Sequence, residues 1–182
     1  MRIVGGTFKG RSLVEFSGEE VRPTADMTRE SLFNIIKAKI SGADFLDLFC
    51  GTGAVGIEAL SCGAKVVTFN DISKKSLEIV KKNLIKVDKE SVVKFGVNAI
   101  LKNYDALDLI NSTEGKFDII FIDAPYSSDK GLSAVNICHK ILKDDGIVIF
   151  ESENIINQDF DGLKKIDKRK YGRARLTFFS KI

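Results

Sequence analysis

Short apolar segments with strand character alternate with segments of helical spacing along most of the chain, and this alternation restricts the possible folds more than any other feature. Strands that alternate with helices form a mostly parallel sheet with helices on both faces. We therefore predict an α/β fold with a mostly parallel seven-stranded sheet. Six strands are predicted at 45–49, 65–70, 92–97, 117–123, 146–151 and 175–179, and an extended stretch at 163–166 pairs with the last strand as an antiparallel hairpin at the sheet edge.

The first 25 residues differ from the rest, because glycines are interspersed there among β-forming residues. We interpret 1–25 as a small N-terminal β-hairpin arm and 26–182 as one domain, which is an ordinary domain length. No apolar run approaches the ~18 residues that span a bilayer, and the N-terminus has no long apolar segment of the signal-peptide type. We expect a cytoplasmic protein. The three cysteines form no CxxC pair, which argues against a disulfide framework or a metal site.

A glycine-rich segment follows the first core strand and opens a helix. Glycines such as Gly51 and Gly53 permit a tight turn and a close approach of the backbone to a ligand, and the helix start offers free N–H groups. Asp71 follows the second strand, twenty residues after Gly51, where an acid binds a pair of ribose hydroxyls. These features alone fit either a nicotinamide-dependent oxidoreductase or a protein that binds an adenosyl cofactor.

Asp47, four residues before the first glycine, separates these two classes. A carboxylate repels a pyrophosphate, whereas it attracts the ammonium group of S-adenosylmethionine, which carries no phosphate. The alternative role of Asp47 is a strand-end side chain bonded to nearby backbone. Ligands of open α/β sheets bind outside the carboxyl ends of the strands, where Asp47, the glycines and Asp71 all fall. We therefore expect S-adenosylmethionine as the cofactor, bound by residues that include Phe49 and Ile72.

A second constellation, Asp123-Ala124-Pro125-Tyr126, lies at the carboxyl end of the fourth predicted strand. Its chemistry suits transfer to an exocyclic amine, whose lone pair is delocalised into the ring. The Asp123 carboxylate and the Ala124 carbonyl can accept hydrogen bonds from such an amine, and Pro125 fixes the local backbone. Tyr126 offers a ring for stacking, so positioning and aligned acceptors would supply the rate. The alternative is a plain turn between strand and helix.

The chain resembles the bacterial 16S ribosomal RNA guanine-N2 methyltransferases of the RsmD type, within the Rossmann-like class I adenosylmethionine-dependent enzymes. The resemblance covers nearly the whole chain. It rests on Met1–Gly6, Lys9–Arg11, Arg22–Thr24, Arg29–Asn34, Leu46–Gly53, Gly56–Leu60, Lys82–Leu84, Asp123–Tyr126 and Tyr171-Gly172.

The resemblance implies methyl transfer to the exocyclic N2 of a guanine in small-subunit rRNA, with 123–126 as the catalytic loop. It also implies that Asp47, Gly51, Gly53 and Asp71 bind the cofactor. The chain departs from the family in three places. Ala124 stands where Pro is usual, Asp71 stands where Glu is usual, and Asn98, followed by Ala99, stands where an Asp commonly binds the adenine amino group after the third strand.

The ends of the chain are basic, since residues 163–182 alone hold eight Lys or Arg and one Asp. A basic surface is typical of nucleic-acid binding, although a solvated lysine-rich terminus has the same composition. A target base must be flipped or unpaired, and basic residues would hold the surrounding phosphates. Arg29 and Glu30 are interpreted as a helix-surface pair. The candidate RNA contacts are Arg2, Lys9, Arg11, Arg22, Thr24, Arg173 and Arg175.

Three other functions stay open on the sequence. The Asp-x-Pro-Tyr loop also serves adenine-N6 methyltransferases acting on DNA or RNA, the glycine loop also serves NAD(P)-dependent oxidoreductases, and the fold also suits a non-catalytic RNA-binding assembly factor. We expect 16S rRNA or a small-subunit assembly intermediate as the partner, no membrane and no metal. The expected oligomeric state is a monomer.

Overall fold

The computed structural model describes residues 1–16, 26–125 and 129–182. Seven strands in this part of the chain form one sheet in the order β3-β2-β1-β4-β5-β7-β6. The first five strands are parallel, and β7 is antiparallel to both β5 and β6. The predicted fold class is therefore confirmed. The strands are β1 Asp44–Asp47, β2 Val66–Asn70, β3 Ala99–Lys102, β4 Phe117–Ile122, β5 Leu142–Ser152, β6 Leu163–Tyr171 and β7 Ala174–Lys181.

Helices cover both faces of the sheet. The central strand β4 is apolar along its length because its side chains alternate between two buried layers. Ile119 and Phe121 join the core under α3 and α4, whereas Ile120 and Ile122 join the core under α5 and α6. The helices are α1 Asp26–Ile35, α2 Lys37–Ile40, α3 Ala54–Ser61, α4 Lys74–Val87, α5 Ala106–Ser112 and α6 Lys130–Ile137, and a 3₁₀ turn at Cys138–Ile141 follows α6.

The third strand lies further along the chain than predicted. The strand predicted at 92–97 is wrong, since Lys94–Asn98 form a tight turn in which Gly96 has φ +75°. The apolar side chains of this segment are exposed, with Val97 at 64% and Phe95 at 44%. The third strand is instead formed by Ala99–Lys102, which pair with Val67–Asn70 of β2 in parallel register.

The N-terminal arm packs against the sheet domain over residues 1–16. Arg2 and Ser12 form an antiparallel bridge, and Ile3, Phe8 and Leu13 are buried in the core on the α3 side of the sheet. The division into an arm at 1–25 and a domain at 26–182 stays a prediction.

Arg29 lies inside the molecule, between the arm and α3. The helix-surface interpretation of this residue is wrong, because its side chain is fully buried and pairs with the buried Glu58 of α3. Burial of a long cation is expected only with such a partner. The arm, α1 and α3 are thus tied together at one buried charge pair.

The last two strands form the antiparallel hairpin expected at the sheet edge. β7 lies between β5 and β6, so β6 is the edge strand. Because β5 and β6 are both antiparallel to β7, β6 runs in the same direction as β5. The hairpin turn, Gly172-Arg173, therefore lies at the same edge of the sheet as the carboxyl ends of the parallel strands.

Candidate active site

The glycine loop and the Asp123 segment meet at one edge of the sheet. Strands β1 and β4 are neighbours with Asp47 opposite Phe121, and the Leu48 N–H donates to the Phe121 carbonyl at 3.0 Å. The sheet continues in opposite directions from these two strands, to β2 and to β5, and in open α/β sheets this arrangement places a ligand-binding crevice between the segments that follow the two strands. This is the topological switch point, where ligands of open α/β sheets bind.

The glycine loop is held by backbone contacts that only glycine accommodates without strain. Gly51 and Gly53 have φ of +51° and +79°, in the left-handed region that other residues rarely adopt. The Gly53 N–H donates to the Cys50 carbonyl at 2.7 Å, and the Cys50 N–H donates to the Asn70 carbonyl at 2.9 Å. A Cβ at Gly53 would also lie 3.0 Å from a methyl of Val80. The loop is therefore a tight turn pressed against α4.

Asp47 is a buried carboxylate at the base of the crevice. It is 2% exposed, and its Oδ2 accepts a hydrogen bond of 2.9 Å from the Gly56 N–H in the first turn of α3. Burial raises the pKa of Asp47 to about 7, a rise that the Gly56 hydrogen bond opposes and the charge of Asp71 favours. The hydrogen bond to nearby backbone, which the sequence offered as the alternative role of Asp47, is therefore present. A buried acid with this pKa is easily ionised by a cation placed against it.

Asp71 follows β2 and faces the glycine loop. One carboxylate oxygen accepts from the Gly51 N–H at 3.0 Å and the other from the Ser73 N–H at 2.8 Å. Each carboxylate oxygen has further lone pairs for a ligand hydroxyl. The next side chain, Ile72, is 67% exposed and presents an apolar surface at this edge.

Asn103 and Tyr104, which the sequence analysis did not assign to the site, stand at the carboxyl end of β3. The Asn103 side-chain amide donates to the carbonyls of Asp71 and Ile72 at 2.8 and 2.9 Å. Tyr104 is 49% exposed, and its N–H donates to the side chain of Asn70 at 3.2 Å. The segments after β2 and β3 are thus joined. The sequence signal for them would have been the strand Ala99–Lys102 followed by polar residues.

Asn98 and Ala99 lie at the other edge of the sheet from the crevice. Asn98 precedes β3 and Ala99 is its first residue, so the prediction that they follow the third strand is wrong. The Asn98 side chain is engaged in its own turn, accepting from the Lys94 N–H at 2.6 Å and donating to the Val92 carbonyl at 2.7 Å. The physical reason is the shift of β3 toward the C-terminus described above.

The segment after β4 supplies the other wall of the crevice. Asp123 is half-buried directly after the strand, Ala124 is buried and Pro125 is exposed. Phe49, after β1, is half-buried against the core on the α5 side. A Cβ added at Gly131 of α6 would lie 3.1 Å from the Ala124 Cβ, so α6 packs closely on this loop. Tyr126 lies outside the described residues.

Two basic residues of the N-terminal arm, Lys9 and Arg11, lie away from this crevice. Helices α3 and α4 begin at the carboxyl edge, so their last residues, Ser61 and Val87, lie at the opposite one. The Phe8 N–H donates to Ser61 Oγ at 2.8 Å, which places the adjacent Lys9 there. Arg11 donates to the Val87 carbonyl and forms an ion pair with Glu90.

The other five candidates for RNA binding have mixed placements. The side chain of Arg2 is exposed, and its carbonyl accepts a hydrogen bond from Arg29. Arg22 and Thr24 lie outside the described residues. Arg173 and Arg175 lie at the carboxyl edge, in the turn between β6 and β7 and at the start of β7.

Cys50, in the glycine loop, is buried. Burial raises the pKa of the Cys50 thiol well above its usual value, which makes it a poor nucleophile. In residues 1–16, 26–125 and 129–182, no group of three or more His, Cys, Asp or Glu side chains could hold a metal ion. Within the same ranges, no helix is long and apolar enough to cross a membrane.

The sequence matches one protein family along nearly its whole length. The family described as conserved hypothetical protein 95 matches residues 1–180. A Haemophilus influenzae protein named ribosomal RNA small subunit methyltransferase D is 33% identical over 159 residues, covering 84% of this chain and 79% of the relative. The Escherichia coli (strain K12) protein of the same name is 32% identical over 155 residues, covering 84% and 75%. YlbH of Bacillus subtilis is 32% identical over 185 residues, covering 100% of this chain and 99% of YlbH.

Solved structures agree with this assignment. The yhhF protein of Escherichia coli superposes with a TM-score of 0.82 at 27% identity, covering 100% of this chain and 97% of that one. A Haemophilus influenzae methylase superposes with a TM-score of 0.80 at 25% identity, covering 100% and 98%. The chain therefore belongs to the conserved hypothetical protein 95 family and is a methyltransferase of the RsmD type with a Rossmann-like class I fold.

Proposed function

We propose that this protein transfers a methyl group from S-adenosylmethionine to the exocyclic N2 of a guanine in 16S ribosomal RNA of the small subunit. One observation carries the proposal: β1 and β4 are adjacent in register, so the glycine loop and Asp123 border one crevice. Relatives that are about a third identical are named small-subunit rRNA methyltransferases. The chemistry of the crevice supports the donor and the acceptor separately.

The chain's own donor set fits the cofactor. Asp47 supplies a buried carboxylate for the ammonium group, and Asp71 supplies acceptors for the ribose hydroxyls. The exposed Ile72 side chain offers an apolar face to the adenine ring. A pyrophosphate would instead lie against the Asp47 charge, which disfavours a dinucleotide. When bound, S-adenosylmethionine supplies an electrophilic methyl carbon on a sulfonium.

The Asp123 segment would orient the accepting amine. The Asp123 carboxylate and the Ala124 carbonyl accept hydrogen bonds from the two N2 hydrogens, which turns the nitrogen lone pair toward the methyl carbon. This orientation would let the nitrogen form its new bond to the methyl carbon while the bond from that carbon to sulfur breaks, with S-adenosylhomocysteine as the leaving group. The methylated nitrogen is acidic enough to lose its extra proton afterwards. Alignment of the amine and the methyl carbon would then supply the rate, with no strong base required.

Transfer of labelled methyl groups tests the proposal, with small-subunit particles, naked 16S rRNA and DNA as acceptors. We expect label in the rRNA of particles or of naked RNA, as N2-methylguanosine on nucleoside mass analysis. Label confined to DNA, or recovered as N6-methyladenosine, would overturn it. Tight NADH binding without any response to S-adenosylhomocysteine in calorimetry would favour an oxidoreductase instead.

Asp123→Ala tests the role assigned to the catalytic loop. We expect transfer to fall by at least about 100-fold, with S-adenosylhomocysteine affinity within about threefold of wild type, since Asp123 contacts the acceptor rather than the cofactor. Asp145→Asn is the matched control, because Asp145 is an exposed acid near the start of β5, at the opposite edge of the sheet. Unchanged turnover in Asp123→Ala would remove the proposed alignment of the amine.

A further inference from the structure

The tip of the β6–β7 hairpin brings together three cations, of which Arg173 and Arg175 are among the candidate RNA contacts. Lys170 and Arg175 are directly opposite each other in the antiparallel register, and Arg175 is also opposite Ser152 at the end of β5. Directly opposed residues of an antiparallel pair point to the same face, and like charges there destabilise the pair. Arg173 occupies the two-residue turn between them and is exposed. Three cations thus surround one end of the hairpin.

These cations line a depression in the surface. It has a volume of about 390 Å³ and is bordered by Glu153, Lys170, Gly172, Arg173 and Arg175. One carboxylate and three cations give the lining a net charge of +2. Gly172 has φ +59°, a conformation typical of the first central residue of a tight hairpin turn, which holds Arg173 at the rim.

Like most basic side chains in the described part of the chain, the tip cations have no acidic partner. Within the described ranges, Lys170, Arg173 and Arg175 form no ion pair, whereas Arg11 pairs with Glu90 and Lys181 pairs with Asp144. Lysines along an edge strand commonly prevent strand-to-strand aggregation. That explanation suits Lys164, near the start of β6, but not an arginine that is presented by a turn.

The position of the hairpin tip in the fold indicates what its positive charge binds. The hairpin turn and Asp123 both lie at the carboxyl edge of the sheet. Lys9 and Arg11 of the N-terminal arm lie at the opposite edge. We propose that the tip of the β6–β7 hairpin binds backbone phosphates of the substrate RNA that flank the target nucleotide. Arginine forks and a point-charge lysine suit phosphate oxygens. This assignment rests on the proposed function, because it takes RNA as the substrate.

The test compares two double variants that remove the same charge. Lys170→Gln with Arg173→Gln alters the tip, and both side chains are exposed. Lys116→Gln with Lys164→Gln is the matched control, because both lysines are exposed and lie at the amino edge, before β4 and near the start of β6. Affinity for naked 16S rRNA is measured from 50 to 300 mM salt with S-adenosylhomocysteine bound, and kcat and KM for methyl transfer are measured beside it.

We expect the tip variant to bind RNA about tenfold more weakly at low salt and to lose about 1.4 from the slope of log K against log salt, since each phosphate contact on a single strand contributes about 0.7. KM for RNA should rise while kcat and S-adenosylhomocysteine affinity stay unchanged. The control should stay within about twofold of wild type. A tip variant that matches the control would overturn the proposal.

Two outcomes separate this proposal from the proposed function. If wild type methylates guanine N2 and the tip variant behaves like the control, the hairpin assignment fails and the function stands. If wild type transfers no methyl group to rRNA but the tip variant loses RNA affinity and salt slope, the proposed function fails and RNA binding by the hairpin tip stands. Loss of binding to assembled particles, with unchanged binding to naked rRNA, would identify a ribosomal protein as the partner and overturn the RNA assignment.

Discussion

Arg29 Nε donates a hydrogen bond of 3.1 Å to Oε2 of Glu58, and both side chains are fully buried. The same carboxylate accepts from the Val4 N–H at 3.0 Å and from the Gly5 N–H at 2.6 Å. Burial raises the pKa of Glu58, while these hydrogen bonds and the Arg29 charge lower it. One carboxylate therefore joins the arm to α1 and to α3, the helix that the glycine loop opens.

Glu58→Gln is expected to destabilise the protein by about 3–5 kcal/mol, the usual cost of removing one partner from a buried ion pair. Donors face both oxygens of Glu58, so the NH2 group of the glutamine would face either Arg29 or the Gly5 N–H, whichever way the amide is turned. Among the described residues, Asp26 also pairs with Arg29, and its carboxylate is half-exposed. Urea unfolding measures the loss as a lower midpoint at constant slope.

Asp144→Asn is the control for this prediction. Asp144 pairs with Lys181 at 3.0 Å but is 87% exposed, so its loss should cost less than about 1 kcal/mol. Hydrogen exchange adds a local readout, since the Val4 and Gly5 amides should exchange faster in Glu58→Gln. A Glu58→Gln midpoint equal to that of Asp144→Asn would mean that the buried pair contributes no net stability.

The raised pKa of Asp47 gives stability a pH dependence of definite sign. The unfolded carboxyl titrates near 3.9 and the folded one near 7. Between these values the folded chain retains a proton that the unfolded chain releases, so this group's contribution falls as pH rises from about 4 to 7. Three pKa units correspond to at most about 4 kcal/mol.

Asp47→Asn removes this titration and isolates its effect. The amide oxygen can still accept from the Gly56 N–H, so the variant should match wild type near pH 4.5 and be more stable by a few kcal/mol at pH 8. Thermal unfolding at both pH values measures this. A stability difference of equal size at the two pH values would contradict the assignment. Under the proposed function, the variant should also bind S-adenosylhomocysteine more weakly at pH 7.5, because the ammonium group loses its carboxylate.

The sequence predicted the backbone of the glycine loop well, because the signals for this loop are local. Glycines after a β-type run, and an acid at the end of the next strand, describe the backbone around Gly51 and Asp71 as the structure has it. The adjacency of β1 and β4 followed from the topology of alternating α/β folds, without any contact read from the chain.

The parts that failed depend on tertiary pairing. Residues 92–97 have the composition of a strand, but the residues that pair with β2 are Ala99–Lys102. Because the strand was predicted too early in the chain, Asn98 was predicted at the carboxyl edge, whereas it lies at the amino edge. Arg11 has the appearance of a free cation in the sequence, yet its partner Glu90 is seventy-nine residues away. No local pattern announces either contact.

Gly56 allows α3 to lie directly on β2. A Cβ at this position would come within 2.8 Å of the Phe69 Cδ1 atom, and the Phe69 ring is fully buried. Gly56→Ala should therefore destabilise the protein by about 1–3 kcal/mol through overpacking, although alanine favours helix. Chemical denaturation measures the change.

Gly115→Ala serves as the comparison for Gly56→Ala, because an added Cβ there meets no atom within 4 Å. It should be neutral or slightly stabilising. Combining Gly56→Ala with Phe69→Leu should cost less than the sum of the two single changes, since the leucine vacates the space that the methyl needs. If the two single changes in unfolding free energy add exactly in the double variant, the cost of Gly56→Ala does not come from the contact with Phe69.

Asn103 holds the segments after β2 and β3 in fixed relation, through its two hydrogen bonds to the carbonyls of Asp71 and Ile72. Asn103→Ala should loosen Ile72 and the Asp71 backbone while leaving the exposed site otherwise intact. We expect S-adenosylhomocysteine to bind about 3- to 10-fold more weakly, the effect of about 1 kcal/mol from a lost pair of exposed hydrogen bonds. Calorimetric titration measures the affinity.

Asn111→Ala is the matched control, because Asn111 lies near the end of α5, away from the crevice, and its side chain makes one weak contact of 3.4 Å with Lys140. It should bind the ligand as wild type does. Global stability of Asn103→Ala should stay within about 1 kcal/mol, since Asn103 is exposed. Equal ligand affinity in the two variants would mean that the β3 segment does not position the cofactor edge. Weaker binding in Asn103→Ala alone would mean that the residues after β3, the four-residue strand Ala99–Lys102, form a third side of the cofactor site.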